Sequence, residues 1–523
     1  MRISVRLNQA LKISSSPSGH HEGGHADSDL RFARHTERAA FVESFAVTSA
    51  RGRSPASLYF ALFHNFGSAI GAKVAGLLLG IVTYGLLART VGTAGLGRYR
   101  TVLTLLLFAG VMFDFGLYSI TLRDISQPQA DERRILGNAV ALRIAATSCA
   151  ILVLVAGMIA AGVSASGVMI AGIGWVALQL SELLRAVFQL KLAQPRGALA
   201  EVAGAAATLV LVVALASLSA DTNSMLAATA AGFCCTAAVS WRLVNGLLPF
   251  RLRFEWPVWR ALILAGLPIG GSLILQTIQL RADVVFLALL RTPAELGLYD
   301  APLKLYELLF VVPLLFGGLM LPMYVRDVGT CADGTLAPRL NAALGASFIF
   351  SMLTFAVLVE CAGPIVVMFA GPSFSGSADP LRILAGSAIF AGVTGTLRFA
   401  AVAIGEQRRI LRADIIGVCA AVAAHAILIP RYGIIGAAFG KLCGDVVTSV
   451  SAAIIMRRVL SRNTLVMVIA SAAAAACLIG ALSFAVNVDV PWFVASGVGA
   501  PIILAGLLLV PRVRQMLAPL AAS

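Results

Sequence analysis

From Leu58 to Pro511 the chain returns again and again to apolar runs of roughly twenty residues, the length a helix needs to cross a bilayer core of about 30 Å. In hydrocarbon a backbone must satisfy its own hydrogen bonds, and runs this long exceed barrel strands, so the pattern demands an all-α polytopic membrane protein. With that ruler the sequence predicts about fourteen transmembrane helices. They run from 63–87 and 101–121, through 261–290, 299–324, 410–429 and 433–456, to 464–486 and 491–511.

Only 12% of the residues are charged, against about a quarter in soluble domains. The net charge of +15 would suit a nucleic-acid binder if it formed one patch, but the basic residues recur in small groups between apolar runs. Nucleic acid is therefore not expected as a partner. Placing the amino terminus inside puts Arg133, Arg134, Lys191, Arg251, Arg253, Arg408, Arg409, Arg457 and Arg458 in inner loops, and only Arg89, Arg98, Arg100, Arg291 and Arg431 outside. The asymmetry predicts that both termini are cytoplasmic. The eight cysteines form no CxxC and sit mostly in apolar runs, as packing residues do.

Residues 1–57 differ in kind. They are polar, basic and without an apolar core, which predicts a disordered cytoplasmic tail rather than a signal peptide. The cluster of His20, His21 and His25 reads as tail composition, and no metal or cofactor is expected.

The sequence repeats itself. Leu86–Tyr99 (LLARTVGTAGLGRY) and Leu287–Tyr299 (LALLRTPAELGLY) both set Arg-Thr at the end of one span and Leu-Gly-x-Tyr at the start of the next. LRAVFQLKLAQPRGALAEVAG, from Leu184, aligns without a gap on LRFAAVAIGEQRRILRADIIG, from Leu397. Six spans separate the copies, an even number, so the two repeats run in the same direction about an axis along the membrane normal, with substrate expected between them. This organisation predicts domains at 58–250 and 251–460, with two further helices and a short tail at 461–523.

At these residues the chain resembles the polysaccharide and oligosaccharide flippases (Wzx-type) of the multidrug/oligosaccharidyl-lipid/polysaccharide exporter superfamily. The likeness rests on Leu87-Ala88-Arg89-Thr90 with the following Leu-Gly-x-Tyr, on Asp114-Phe115-Gly116-Leu117, and on Gly266-Leu267-Pro268 with Arg281-x-Asp283. Phe369–Phe374 and Ile429–Ala438 extend it into the second half. The resemblance implies MATE-like lobes of six helices plus two C-terminal helices. It also implies a carrier that moves polyprenyl-diphosphate-linked oligosaccharide across the bacterial inner membrane, with the lipid bilayer and the polysaccharide polymerase machinery as partners.

Charges inside spans are where chemistry is expected, since each costs about 2.5–3.5 kcal/mol at a helix centre on insertion scales. Lys73, Asp114, Arg281, Asp283, Lys441 and Asp445 lie well inside, and Lys304 and Arg398 lie nearer span ends. Spacing predicts structural pairs between Lys441 and Asp445 and between Lys304 and Glu307, and Arg281 with Asp283 reads as substrate contact or latch. Lys73 shares a helical face with Ala69, Gly76 and Gly80, a small-residue face that suits a cavity. A diphosphate needs cationic donors in a hydrated cleft, so Lys73, Asp114, Arg281, Asp283, Lys304, Arg398 and Lys441 are the candidate site residues.

An enzyme of the polytopic glycosyltransferase or polymerase kind would, by analogy, carry paired carboxylates or a long loop outside, and neither is present. No phosphate-cradling P-loop occurs either. A cation-coupled multidrug antiporter and a peptidoglycan-precursor flippase remain the rival readings.

Overall fold

The computed structural model describes residues 55–218, 221–329, 336–458 and 460, with side chains from Gly71 onward except at 310, 314, 315, 329, 336 and 337. The amino-terminal tail with its histidine cluster and the last two expected spans lie outside the described residues. Among those described, every regular element is a helix. In chain order these are α1 (Pro55–Met112), α2 (Leu117–Ile125), α3 (Glu132–Ala160), α4 (Ser166–Leu190), α5 (Gln194–Ala216) and α6 (Thr222–Leu247). Then come α7 (Trp256–Leu290), α8 (Pro293–Gly329), α9 (Leu336–Ala370), a 3₁₀ turn (Pro372–Ser377), α10 (Ala378–Ile404) and α11 (Gln407–Ile455). Ten helices among the described residues are long and apolar enough to cross a membrane, and the chain is a multi-pass membrane protein.

Two of the ten are too long for a single crossing. At 1.5 Å per residue, α1 and α11 would extend about 87 and 74 Å, more than twice the bilayer core. Each is interrupted at one glycine with positive φ: Gly92 (φ 66°) and Gly433 (φ 56°). A side chain there would cost the strain of the left-handed region, so glycine is the residue that lets the turn stay this tight. In α1, Tyr84 before the turn and Arg100 after it both reach the Asp300 carboxylate. On a straight helix those residues would stand about 24 Å apart, beyond the joint reach of two side chains, so the chain doubles back.

In α11 the doubling can be followed rung by rung. A Cβ built on Gly436 would stand 2.3 Å from the Leu428 carbonyl, on Gly440 2.2 Å from His425 Nδ1, and on Gly444 2.6 Å from the Ala421 Cβ. One arm climbs as the other descends, the signature of an antiparallel helical hairpin. Counting both hairpins, the described residues make twelve crossings, in the order of the first twelve spans expected from sequence.

The repeat is physically real. In the first half, a Cβ on Gly204 would meet Thr236 Oγ1 at 1.8 Å; in the second, a Cβ on Gly417 would meet Thr448 Oγ1 at 1.7 Å. Arg185 faces Glu201 at 3.6 Å, and Arg398 faces Asp414 at 2.7 Å, from corresponding positions. Helices α4 and α5 pack on α6, while α8, α9 and α11 pack on α10 and α7 packs on α11. In the second half α10 is the central stave, buried from Pro380 to Leu397 except at Arg382.

Candidate functional site

The two halves meet at the end of the bundle that carries Gly92 and Gly433, and again where α7 packs on the break between α1 and α2, a Cβ on Gly266 standing 1.7 Å from the Phe115 carbonyl. A Cβ on Gly97 would lie 1.8 Å from the Pro293 carbonyl, and a Cβ on Gly297 1.9 Å from the Thr93 carbonyl. Gly97 and Gly297 are the same residue of the two Leu-Gly-x-Tyr motifs. Each touches the helix start of the other half in the same way, so the axis relating the repeats passes between them. Nothing larger than hydrogen fits on either side. Around this contact the seam is closed by Arg89, which donates to the Met368 carbonyl, and by Tyr84 stacked on Phe369 with ring centroids 5.5 Å apart.

One turn further into the membrane, the next pair of equivalent positions holds Arg100 and Asp300. Arg100 Nε lies 2.7 Å from Asp300 Oδ1, and the Tyr84 hydroxyl donates to Oδ2. Asp300 is buried at 1% exposure, where an unpaired carboxylate would be prohibitively costly; both its oxygens are partnered. Deeper still, Glu307 of α8 accepts from Arg281 of α7, and stands 3.4 Å from Lys304 and 3.5 Å from Arg100. Three cations from three helices and both halves thus converge on two carboxylates.

Sequence reasoning located part of this cluster. Lys304 pairs with Glu307 as its i,i+3 spacing predicted. Arg281 does not pair with Asp283. Two residues along a helix place side chains on nearly opposite faces, so Arg281 turns to Glu307 while Asp283 accepts from the Tyr299 hydroxyl at 2.7 Å. The expected pair of Lys441 with Asp445 also fails. Asp445 accepts from Tyr306 and Ser387, and the Lys441 ammonium sits 5.3 Å over the Tyr306 ring. Asp114 is taken by Arg143 of α3 at the break between α1 and α2, where Phe115 and Gly116 have positive φ. Arg398 is tied to Asp414 and Gln279. Asp114, Arg398, Lys441 and Asp445 thus find their partners within their own halves, while Asp283 lies near enough to the seam for its charge to act on Arg100.

Lys73 stands apart in another sense. It lies eleven residues before Tyr84, which returns the helix to within about 20° of the same face, roughly 16 Å along the axis. That face touches the other half at Tyr84, but a Cβ on Gly80 or Gly76 would meet nothing within 4 Å. The closed seam thus gives way to open space along this face, and Lys73 is exposed to it.

The cluster members that sequence reasoning missed as site residues are Arg100, Asp300, Tyr84 and Glu307, the last read only as a structural partner of Lys304. Arg100 was assigned to a loop. The signal was nonetheless there: each Leu-Gly-x-Tyr motif is followed at once by a charge, positive in the first repeat and negative in the second.

Comparison with known proteins sets these features beside relatives. The sequence profile of a family described as "Polysaccharide biosynthesis protein" matches residues 62–326. A search of curated protein sequences finds no match. Among solved structures, the chain is similar to the lipid II flippase MurJ in an inward closed conformation, with TM-score 0.65 and 13% identity over 85% of this chain and 98% of that one. It is also similar to the Vibrio cholerae MATE transporter VcmN, with TM-score 0.54 and 15% identity over 77% and 97%. A MOP superfamily transporter from Pyrococcus furiosus gives TM-score 0.55 and 14% identity over 76% and 95%. At such identities the likeness is one of fold.

Proposed function

The chain belongs to the polysaccharide biosynthesis protein family, and from that premise we propose that it is a flippase for polyprenyl-diphosphate-linked oligosaccharide. It would act in the bacterial inner membrane, with the glycine-turn end outward and both termini in the cytoplasm, by alternating access between the two halves. The observation that carries this reading is the gathering of Arg100, Arg281 and Lys304 at the seam. All three face the single Glu307 carboxylate, and a diphosphate is the kind of ligand that cationic donors so gathered can stabilise. Lys73, on the open face leading toward them, is the first cation a headgroup entering from the opposite end would meet. Its role is attraction at a point, and the seam cluster supplies the deeper hold.

Flipping of polyprenyl-diphosphate-linked oligosaccharide by the purified protein in proteoliposomes tests this directly. Lys73→Ala and Arg281→Ala should each abolish it in folded, inserted protein, while Lys73→Arg keeps part of it. In a deletion strain, loss of surface polysaccharide with growth intact is the expected outcome. Lethality would point instead to a peptidoglycan precursor, the second reading, which the fit to the lipid II flippase supports. Drug hypersensitivity alone would mark an antiporter.

A further inference from the structure

The cluster at the seam is graded in its exposure. The side chain of Asp300 is 2% exposed and that of Arg100 12%, whereas Arg281 rises to 18%, Glu307 to 24% and Lys304 to 40%. Asp300 is fully committed, one oxygen to Arg100 and the other to Tyr84. Glu307 is different. It is a single negative charge shared among Arg281, Lys304 and Arg100, and it stands at the accessible side of the group. It also reaches across the seam, because Arg100 belongs to the first half and Glu307 to the second.

A carboxylate bound by several cations has the same donors around it that a phosphoryl group would have. A diphosphate offers more oxygens and more charge to those donors than one carboxylate can. We propose that Glu307 is a resident anion: it fills the phosphate place of the cleft while substrate is absent, and a diphosphate headgroup enters by displacing it. Displacement removes the Glu307 contact with Arg100 and so loosens the seam between the halves. Substrate binding and opening at the glycine-turn end are thereby one event, since the same guanidinium serves both. The inference rests on the flippase reading given above and adds to it the group that substrate must expel.

An internal competitor that holds its site about nine-tenths of the time lowers the apparent affinity of a ligand about tenfold. The full-length protein in nanodiscs, with farnesyl diphosphate as the probe, can reveal it. Glu307→Gln should bind the probe about tenfold tighter than the parent chain. Because removing a negative charge tightens anion binding in any case, a second reading is needed. Spin labels on Ala94→Cys and Ala294→Cys, in a chain cleared of its native cysteines, report the distance across the seam. The parent should lengthen this distance only when the probe is added, whereas Glu307→Gln should already show the longer distance without it. Glu307→Asp, which keeps the charge but shortens its reach, should move both quantities the same way by a smaller amount.

Tighter binding with an unmoved seam overturns the inference, and so does unchanged or weaker binding by Glu307→Gln. If the protein flips lipid-linked oligosaccharide in proteoliposomes while either of these results holds, the inference falls and the flippase reading survives. If the parent neither binds the probe nor flips the lipid, both fall together.

Discussion

Arg185 and Glu201 in the first half, and Arg398 and Asp414 in the second, occupy matching places and make matching contacts; so do the glycine–threonine approaches at Gly204 and Gly417. The halves share this scaffold and differ in what it encloses. Among the described residues, Arg143 is the one buried acidic, basic or histidine side chain of the first half. The second half buries Asp283, Asp300, Asp327, Asp414, His425 and Lys441. Helix packing tolerates little change in backbone approach, so the scaffold persists. Charges are free to diverge wherever the other half or an inner partner can meet them. The lesson is that the halves are alike in how they stand up and unlike in what they hold.

The hardest blow to that asymmetry is a reversal of charge at the axis. Arg100→Asp would set a third carboxylate beside Asp300 and Glu307, and breaking a buried pair costs about 3–5 kcal/mol. Flipping in proteoliposomes should fall at least about a hundredfold. Combining it with Asp300→Arg should recover at least about tenfold, because a charge pair across the axis is restored. A double variant no better than the single one would show that the sidedness of the pair matters as much as its existence.

A smaller effect tests the likeness. Gly97→Ala and Gly297→Ala each press a methyl group onto a carbonyl of the other half, and overpacking of this kind costs about 1–3 kcal/mol. Both should lower flipping by about tenfold, and by similar factors, with little change in insertion into the membrane. A large difference between them would break the symmetry argued for the seam.

The mildest prediction compares the two matched ion pairs. The Arg185 pair with Glu201 is wide and about two-fifths exposed, whereas Asp414 is only 11% exposed against Arg398. Arg185→Gln should cost about 0–1 kcal/mol, and Arg398→Gln about 1–3 kcal/mol because it leaves a largely buried carboxylate short of a partner. Thermal unfolding in detergent gives the order, and equal shifts would mean that the halves differ less than their interiors suggest.

Much of this was legible in the sequence because apolar length and repeat spacing are one-dimensional properties. The twelve described crossings and the alignment of Arg185 with Arg398 could both be read along the chain. Partner choice is not such a property. For Lys441 the spacing rule offered Asp445, one helical turn away, but in the packed bundle Tyr306 and Ser387 reach that acid from other helices. For Arg281 it offered Asp283, yet α8 brings Glu307 to it from another helix. Arg100 was misplaced for a related reason: counting apolar residues ended the first span before the turn and began the second after Arg100, when helix continues through it.

The meeting of Arg100 with Asp300 also bears on ancestry. If the repeats descend from one shorter chain that worked as a pair of identical copies, this position would have faced its own duplicate across the axis. Two arginines or two aspartates would then have opposed each other in a water-poor place. A neutral side chain could serve both copies, but opposite charges became available only once the copies were fused and could mutate separately. After that step neither half could be exchanged for a second copy of the other. On that line of descent the ion pair would mark the position at which two interchangeable subunits became a left and a right hand.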